Sequence, residues 1–495
     1  MNTAAPVKSA KPETLRLPAH RDAFYGGEWH KPKSGKYIDS INPGTGESLG
    51  AVADCGADDI DAAVQAAKKA FDGWRNTPPL ERARVLRRIA AVLRENADEL
   101  AMIDAADCGN PVHEMVSDAT IAAAQIEFYA GLVTEMKGAS IPMGPGVVNF
   151  SVREARGVVG RIIPFNHPFM FCAGKAGAPL ATGNTVVMKP PEQAPLSSLV
   201  LGHLVAELFP PGVLNIVTGD GPTTGAALVR HPRVRRIALI GSVEAGRAVM
   251  QAASAELKTV TLELGGKNPI IVFPDVDADQ AAAATVAAMN FNRAGQSCSS
   301  TSRAFVHRRI HGAFIEALRE RLARLRVGPP ESDTTEVGPL VSREQQQRVL
   351  GYIEAGRREG ARLVFGGGVP GDLALQRGFY VQPTLFDDVR PEMRIAQEEI
   401  FGPVIAVLVW DDEEEMLRQV NGVLYGLSAA ICTRDYARAH RLARRIEAGY
   451  IWVNIPGGHL LGAPYGGVKQ SGLGREECLD ELLSYTQTKS VRLQL

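Results

Sequence analysis

Cys298 stands in the stretch "FNRAGQSCSSTSR" (residues 291–303), flanked by Ser297 and Ser299 and preceded by Gly295 and Gln296. A structural cysteine is usually a small hydrophobe among aliphatic neighbours. Small polar neighbours instead leave a thiol reachable and able to ionise. An unperturbed thiol has a pKa of about 8.5, so a cysteine nucleophile needs groups that favour the anion. The hydroxyls of Ser297 and Ser299 and nearby backbone N–H groups are candidates for that task. No histidine is close in sequence; His167 and His459 are partners only if the fold brings them in. Glu263 is the other candidate base. Asn166, in "PFNHP", offers a side-chain amide that can hold a developing oxyanion.

The elements that must position these groups show in the periodicity. In "DDIDAAVQAAKKAFDGW", Ile60, Val64, Ala67, Phe71 and Trp74 recur at helical spacing, with Asp58 or Asp59 as N-cap. "ERARVLRRIAAVLREN" repeats the pattern, so the first part of the chain reads as helical. From about residue 156, β-branched runs alternate with helical stretches. The runs are 157–163, 184–189, 213–217, 236–240 and 259–264. Crossovers of this length predict a parallel sheet covered on both faces. A second alternation begins near residue 269, with strands expected in "PIIVF", "RAFVH", "ARLVF", "VIAVLVW", "LSAAICT" and "YIWVN". The fold class is therefore α/β with two parallel-sheet domains, the first Rossmann-like. Residues 138–155 and the tail 484–495 fit neither sheet. They read as strands of an arm, and unpaired strands are costly to leave in water, which points to an oligomer.

Ligands of open parallel sheets sit beyond the carboxyl ends of the strands. Each strand end of the first sheet carries a glycine turn or a lone polar group: Asn166, Lys189 with Glu192, Gly219, Gly241 with Ser242, and Glu263. The usual G-x-G-x-x-G fingerprint is absent after the first strand. "GSVEAG" (241–246) still offers backbone N–H groups and a helix N-terminus to a pyrophosphate. Lys189 and Glu192 read either as a salt-bridged pair on a proline-stiffened turn or as ligands of a ribose diol. In the second case Glu192 repels a 2′-phosphate and selects NAD over NADP. Nucleophile, base, oxyanion donor and dinucleotide crevice together suit one reaction. A thiolate attacks an aldehyde carbon, the adduct is oxidised to a thioester, and water activated by Glu263 releases the acid.

Other function classes fall away. Net charge is −1, so no overall field favours nucleic acid or an anionic membrane. No apolar run is long enough to span a bilayer, and the N-terminus lacks signal-peptide features. Six scattered cysteines (55, 108, 172, 298, 432 and 478) form neither a disulfide framework nor a zinc motif, which fits a reducing cytoplasm. His307 and His311 stand four apart but lack further ligands, so they read as surface histidines near a helix start and no metal is expected.

Several stretches, in this order, carry a resemblance. They are "YGGEW", "INPGTGESLG", "GVVGRIIPFNHP", "ATGNTVVMKPPEQAPLS", "PPGVLNIVTG", "IGSVEAGR", "LELGGKNP", "GQSC", "EEIFGPV" and "PYGGVKQSGLGRE". Along nearly its whole length the chain resembles the NAD(P)-dependent aldehyde dehydrogenase superfamily. The resemblance implies that Cys298 is the nucleophile, Glu263 the general base and Asn166 the oxyanion-hole amide. It implies NAD contacts at Ile163, Pro164, Phe165, Lys189, Glu192, Gly241, Ser242, Gly265, Glu399 and Phe401. It also implies a flexible arm at 1–20 and an NAD-binding domain at 21–137 and 156–264. The catalytic domain would take 265–465 and an oligomerisation arm 138–155 and 480–495, with the subunits forming a homodimer or homotetramer.

Some positions depart from common members. Gly174 stands where a large residue often precedes Lys175, and the loop "NIPGGHLLGA" holds His459 and two glycines. Together they predict a roomier channel for a bulky or aromatic aldehyde, with Cys172 lining it. A CoA-acylating member would typically lack Glu263, and a non-catalytic scaffold would be expected to have lost Cys298, Glu263 or Asn166.

Overall fold

The computed structural model describes residues 15–495, so residues 1–14 of the expected N-terminal arm lie outside the described residues. The first sheet is built on five parallel strands: Val158–Ile162, Thr185–Lys189, Leu214–Ile216, Val234–Ile240 and Thr259–Glu263. These are the five runs expected from sequence. Their interiors are buried on both faces, as a helix-covered parallel sheet requires. In chain order they lie 3-2-1-4-5, so the winding direction reverses between Val158–Ile162 and Val234–Ile240. That reversal opens a crevice at the carboxyl ends of these two strands.

Short antiparallel strands close both edges of this sheet. On one side lies the hairpin Ala23–Tyr25 and Glu28–His30. On the other lies Gly472–Leu473, which pairs with Leu262 and Glu263. The N-terminal part is thus not purely helical: Tyr37–Ile41 and Ser48–Ala53 form a further strand pair before the helices. The helices themselves run Ala57–Asn76 and Pro79–Glu95. Neither aspartate caps the first one. Gly56 is the N-cap, and Asp59 reaches back from inside the first turn to accept from the Gly56 N–H at 3.0 Å.

All six strands expected in the second sheet are present, among them Pro269–Val272, Arg303–His307 and Val404–Trp410. A seventh, Thr384–Asp387, is inserted beside Val404–Trp410. The edge strand Arg362–Phe365 runs antiparallel, so this sheet is not wholly parallel. The two stretches that fit neither sheet pair with each other: Val147–Ala155 and Thr486–Gln494 form an antiparallel ribbon over their full length.

A buried charge cluster joins the tail to the first sheet. Arg161, on the first parallel strand, meets Glu476 at 3.1 Å and bonds to the Tyr485 hydroxyl. Lys175 lies between Glu476 (3.0 Å) and Glu477 (3.2 Å). Despite burial, Lys175 and Arg161 hold the Glu476 carboxyl below its ordinary range. Removing one partner of a buried ion pair leaves the other charge uncompensated, at a cost of about 3–5 kcal/mol. We expect Lys175→Met to lower stability to urea by that order. Lys175→Met combined with Glu477→Gln should recover part of the loss, as read from unfolding curves of the three variants.

Candidate active site

The crevice at the strand reversal deepens into a cavity of about 160 Å³. Ten of the residues singled out from sequence line it: Pro164, Phe165, Asn166, Gly241, Ser242, Glu263, Gly265, Cys298, Glu399 and Phe401. Asn166 follows the first strand, and its backbone carbonyl accepts a bond from the Asn110 amide at 2.9 Å. Ser242 caps the helix Val243–Ser254, accepting from the Ala245 N–H. The remaining first-turn N–H groups of that helix form an anion-favouring terminus. Phe165 and Phe401 meet edge to face across the cavity with centroids 5.7 Å apart.

Three expected contacts lie off the cavity lining. Ile163 is a core residue whose N–H donates to the Lys189 carbonyl at 3.0 Å. Lys189 and Glu192 pair with each other at 2.8 Å beyond the second strand. Three lining residues were not expected from sequence: Ile240 at the end of the fourth strand, and Gln345 and Arg348. Gln345 and Arg348 project from the helix Arg343–Arg358 and donate to the carbonyls of Phe401 (2.7 Å) and Glu399 (2.9 Å). They hold a loop in which Phe401 adopts a left-handed backbone, φ 57°. Nothing local in their sequence marks them. Glu399 accepts from the Gly266 N–H at 3.0 Å, and burial raises its carboxyl to about 7. A Cβ on Gly265 would stand 1.9 Å from Glu399, so only glycine allows this approach.

Cys298 is partly exposed, but the serines do not activate it. Ser297 and Ser299 hydrogen-bond each other at 3.1 Å. The thiol's side-chain partner is the Tyr465 hydroxyl, 3.9 Å from Sγ, a residue of the "PYGG" stretch that was not singled out from sequence. Burial, then the charge of Glu263, push the thiol up to about 12. Both Glu263 carboxyl oxygens are buried without a hydrogen-bond partner. Burial, then Glu476, raise that carboxyl well above its usual range, while Lys175 opposes the shift.

Gly174 does not open the channel. A Cβ there would stand 2.0 Å from Oε1 of Gln125, which reaches over from the helix Val112–Gly131 and fills the space. Cys172 is fully buried in the core around the first sheet and lines no channel. His459 stacks on Tyr465 with centroids 3.7 Å apart; Tyr450 packs against Tyr465, and Trp452 against His459. His167 instead pairs with Asp118 at 2.8 Å. The histidines 307 and 311 turn to separate partners: His307 caps the helix Arg308–Arg324, and His311 binds Asp387 at 2.8 Å. Among the described residues no cluster of three or more His, Cys, Asp or Glu side chains is arranged to hold a metal, and no helix is long and apolar enough to cross a membrane.

Residues 29–491 match the model of the aldehyde dehydrogenase family, and the chain belongs to that family. It is 48% identical over 487 residues to the aldehyde dehydrogenase tropH of Talaromyces stipitatus, covering 97% of this chain and 94% of that one. A putative aldehyde dehydrogenase from Burkholderia cenocepacia superposes with a TM-score of 0.94 at 40% identity, over 97% and 98% of the two chains. AldA of P. syringae, an indole-3-acetaldehyde dehydrogenase solved as a cysteine-to-alanine mutant in complex with NAD+ and IAA, superposes with a TM-score of 0.94. It is 38% identical, over 98% of each chain.

The raised thiol has a direct consequence. The thiolate appears only as pH rises, so alkylation of Cys298 by iodoacetamide in the ligand-free protein should accelerate about tenfold per pH unit from roughly 7 to 10. A plateau below pH 9 would show a thiol already activated at rest.

Proposed function

We propose that the protein oxidises an aldehyde to its carboxylic acid with NAD, through a thioester on Cys298 that water hydrolyses. The observation that carries this reading is that Cys298, Glu263 and Asn166 line one cavity with the helix-capping turn at the strand reversal. The residues fit a dinucleotide. Gly241 and Ser242 would offer the helix N-terminus to its phosphates, and Glu399 and Phe401 would hold its nicotinamide end. Pro164, Phe165 and Gly265 shape the pocket, and the Lys189–Glu192 pair would hold the adenosine ribose, with Ile163 supporting that strand end from the core. Bound NAD supplies the hydride acceptor.

The chain's own groups do the rest. Sγ of Cys298 attacks the aldehyde carbon. The Asn166 amide and the Cys298 N–H hold the oxyanion. Oxidation at that carbon leaves a thioester on Sγ. Glu263 then takes a proton from water as it attacks. A carboxyl pushed up by burial is a stronger base once ionised, which suits this step. Tyr465, whose hydroxyl meets the thiol and which carries the packed rings of Tyr450 and His459, favours flat, aromatic aldehydes, in keeping with the indole-3-acetaldehyde that names AldA. Glu263 favours hydrolysis over transfer to CoA, and the intact catalytic set argues against a scaffold. The exposed ribbon, which presents Val148 and Leu493, is the surface proposed to join subunits of a homodimer or homotetramer. Six unpaired thiols suit the reducing cytoplasm.

The test is formation of reduced nicotinamide with aromatic and aliphatic aldehydes. Aromatic aldehydes should give the higher kcat/KM, and Cys298→Ala should abolish turnover with all of them. Turnover that survives in Cys298→Ala, or its absence from the unaltered protein across the panel, would refute the assignment. Replacing Glu192 tests cofactor choice separately. Glu192→Ser removes the carboxylate, so the NAD-to-NADP ratio of kcat/KM should fall by about tenfold or more.

A further inference from the structure

One charged strap beside the thiol is not used by the mechanism above. Glu477 carries a left-handed backbone, φ 64°, a conformation that costs a non-glycine residue free energy and persists only where its surroundings enforce it. Here every polar part of the residue is tied. Its N–H donates to Glu481 at 2.7 Å. Its carbonyl accepts from Gly462 at 2.8 Å. Its carboxylate meets Lys175 at 3.2 Å and Nδ1 of His459 at 3.2 Å. The bond to Gly462 and the bond to His459 together fasten the loop that follows Asn454.

That loop delivers one group to the reacting atom. The His459 ring lies nearly parallel to Tyr465, and Tyr465 is fixed from behind by paired backbone bonds with Glu476, at 3.0 and 2.8 Å. Tyr465 is 5% exposed, and its hydroxyl is the side-chain partner of Cys298 Sγ. Both neighbours of Cys298 are occupied with each other, so no serine competes for the sulfur. The strain at Glu477, the stacked histidine and the single hydroxyl on sulfur form one continuous support.

We propose that Tyr465 is a catalytic residue, donating its O–H to the Cys298 thiolate, and that His459 and Glu477 are positioning residues that aim it. The assignment rests on Cys298 being the nucleophile of the proposed reaction. No proton leaves Tyr465. Burial, then the neighbouring Cys298 and Glu263, raise its phenol well above the ordinary range, so it remains a donor throughout. The titratable groups facing this pair are Glu263 and Glu399 on the side of the sulfur. His459 and Glu477 face it on the side of the phenol.

The test reads the thiol directly, through the pH profile of iodoacetamide alkylation at Cys298 in the full chain, located by peptide mass. A hydrogen bond to a charged group is worth enough to shift an equilibrium about tenfold. Tyr465→Phe should therefore slow alkylation by about tenfold at pH 8 and displace the profile upward. His459→Asn and Glu477→Gln should displace it in the same direction by less. A Tyr465→Phe profile that superposes on the wild type would overturn the proposal. If Tyr465→Phe does not fold, the exposed His459 decides, because His459→Asn with an unshifted profile equally removes the support. Aldehyde turnover of the wild type is measured alongside. Its absence would overturn the enzymatic reading, whereas an unshifted profile with turnover intact would reject only Tyr465.

Discussion

Two buried cations set the electrostatics of this protein. Arg161 and Lys175 lie in a region with four buried carboxyl groups: Glu263, Glu476, Glu477 and Glu481. Two positive charges can sustain two negative ones at such depth, where desolvation penalises every ion. Glu476 is held below its usual range, and Glu477 is held at about 2 against its burial, chiefly by Lys175. The other two carboxyl groups, Glu263 and Glu481, are pushed upward by burial and then by Glu476. The charge count therefore decides which carboxyls are held down and which are pushed up, and Glu263, which lines the cavity, is among those pushed up. The same cluster anchors the final helix, Leu479–Ser484, and through it the ribbon strand that follows. Fold, tail and site share one electrostatic constraint.

The resting site is accordingly quiet. The Cys298 thiol and the Glu263 carboxyl are both raised, and Ser297 and Ser299 are turned toward each other. A cysteine kept as thiol is protected from oxidation and stray electrophiles. Reactivity must then come from what enters the cavity and from the hydroxyl at 3.9 Å. The helix terminus at Ser242 and the loop held by Gln345 and Arg348 would give a bound cofactor a fixed seat, so its charge would arrive beside the sulfur in a defined place.

Much of this was legible in the sequence, for physical reasons. Strands buried on both faces read as continuous β-branched runs, so both sheets could be found from sequence. Residues at the carboxyl ends of the strands that flank the reversal and of their neighbour fall at the crevice whatever the loops do, so Asn166, Gly241 and Glu263 were legible as well. The missed elements lack those signals. Ala23–Tyr25 and Glu28–His30 have three residues each, and their hairpin shows only in Gly26 and Gly27, both at positive φ. Thr384–Asp387 hides a buried aspartate that serves His311 and Arg362. Gly174 was misread because its missing side chain is replaced from a distant helix, and Cys172 because its neighbour's environment was misjudged with it. Gln345, Arg348 and Tyr465 act on residues far away in sequence, a relation that no local pattern carries.

The division of labour between Cys298 and Glu263 is the core of this account, and intact-protein mass spectrometry tests it most directly. Glu263→Gln, mixed with NAD and an aromatic aldehyde, should accumulate the mass of one acyl group, mapped to the peptide of Cys298, while the unaltered protein returns to its original mass. An adduct that fails to form, or one that maps to another residue, would contradict the account.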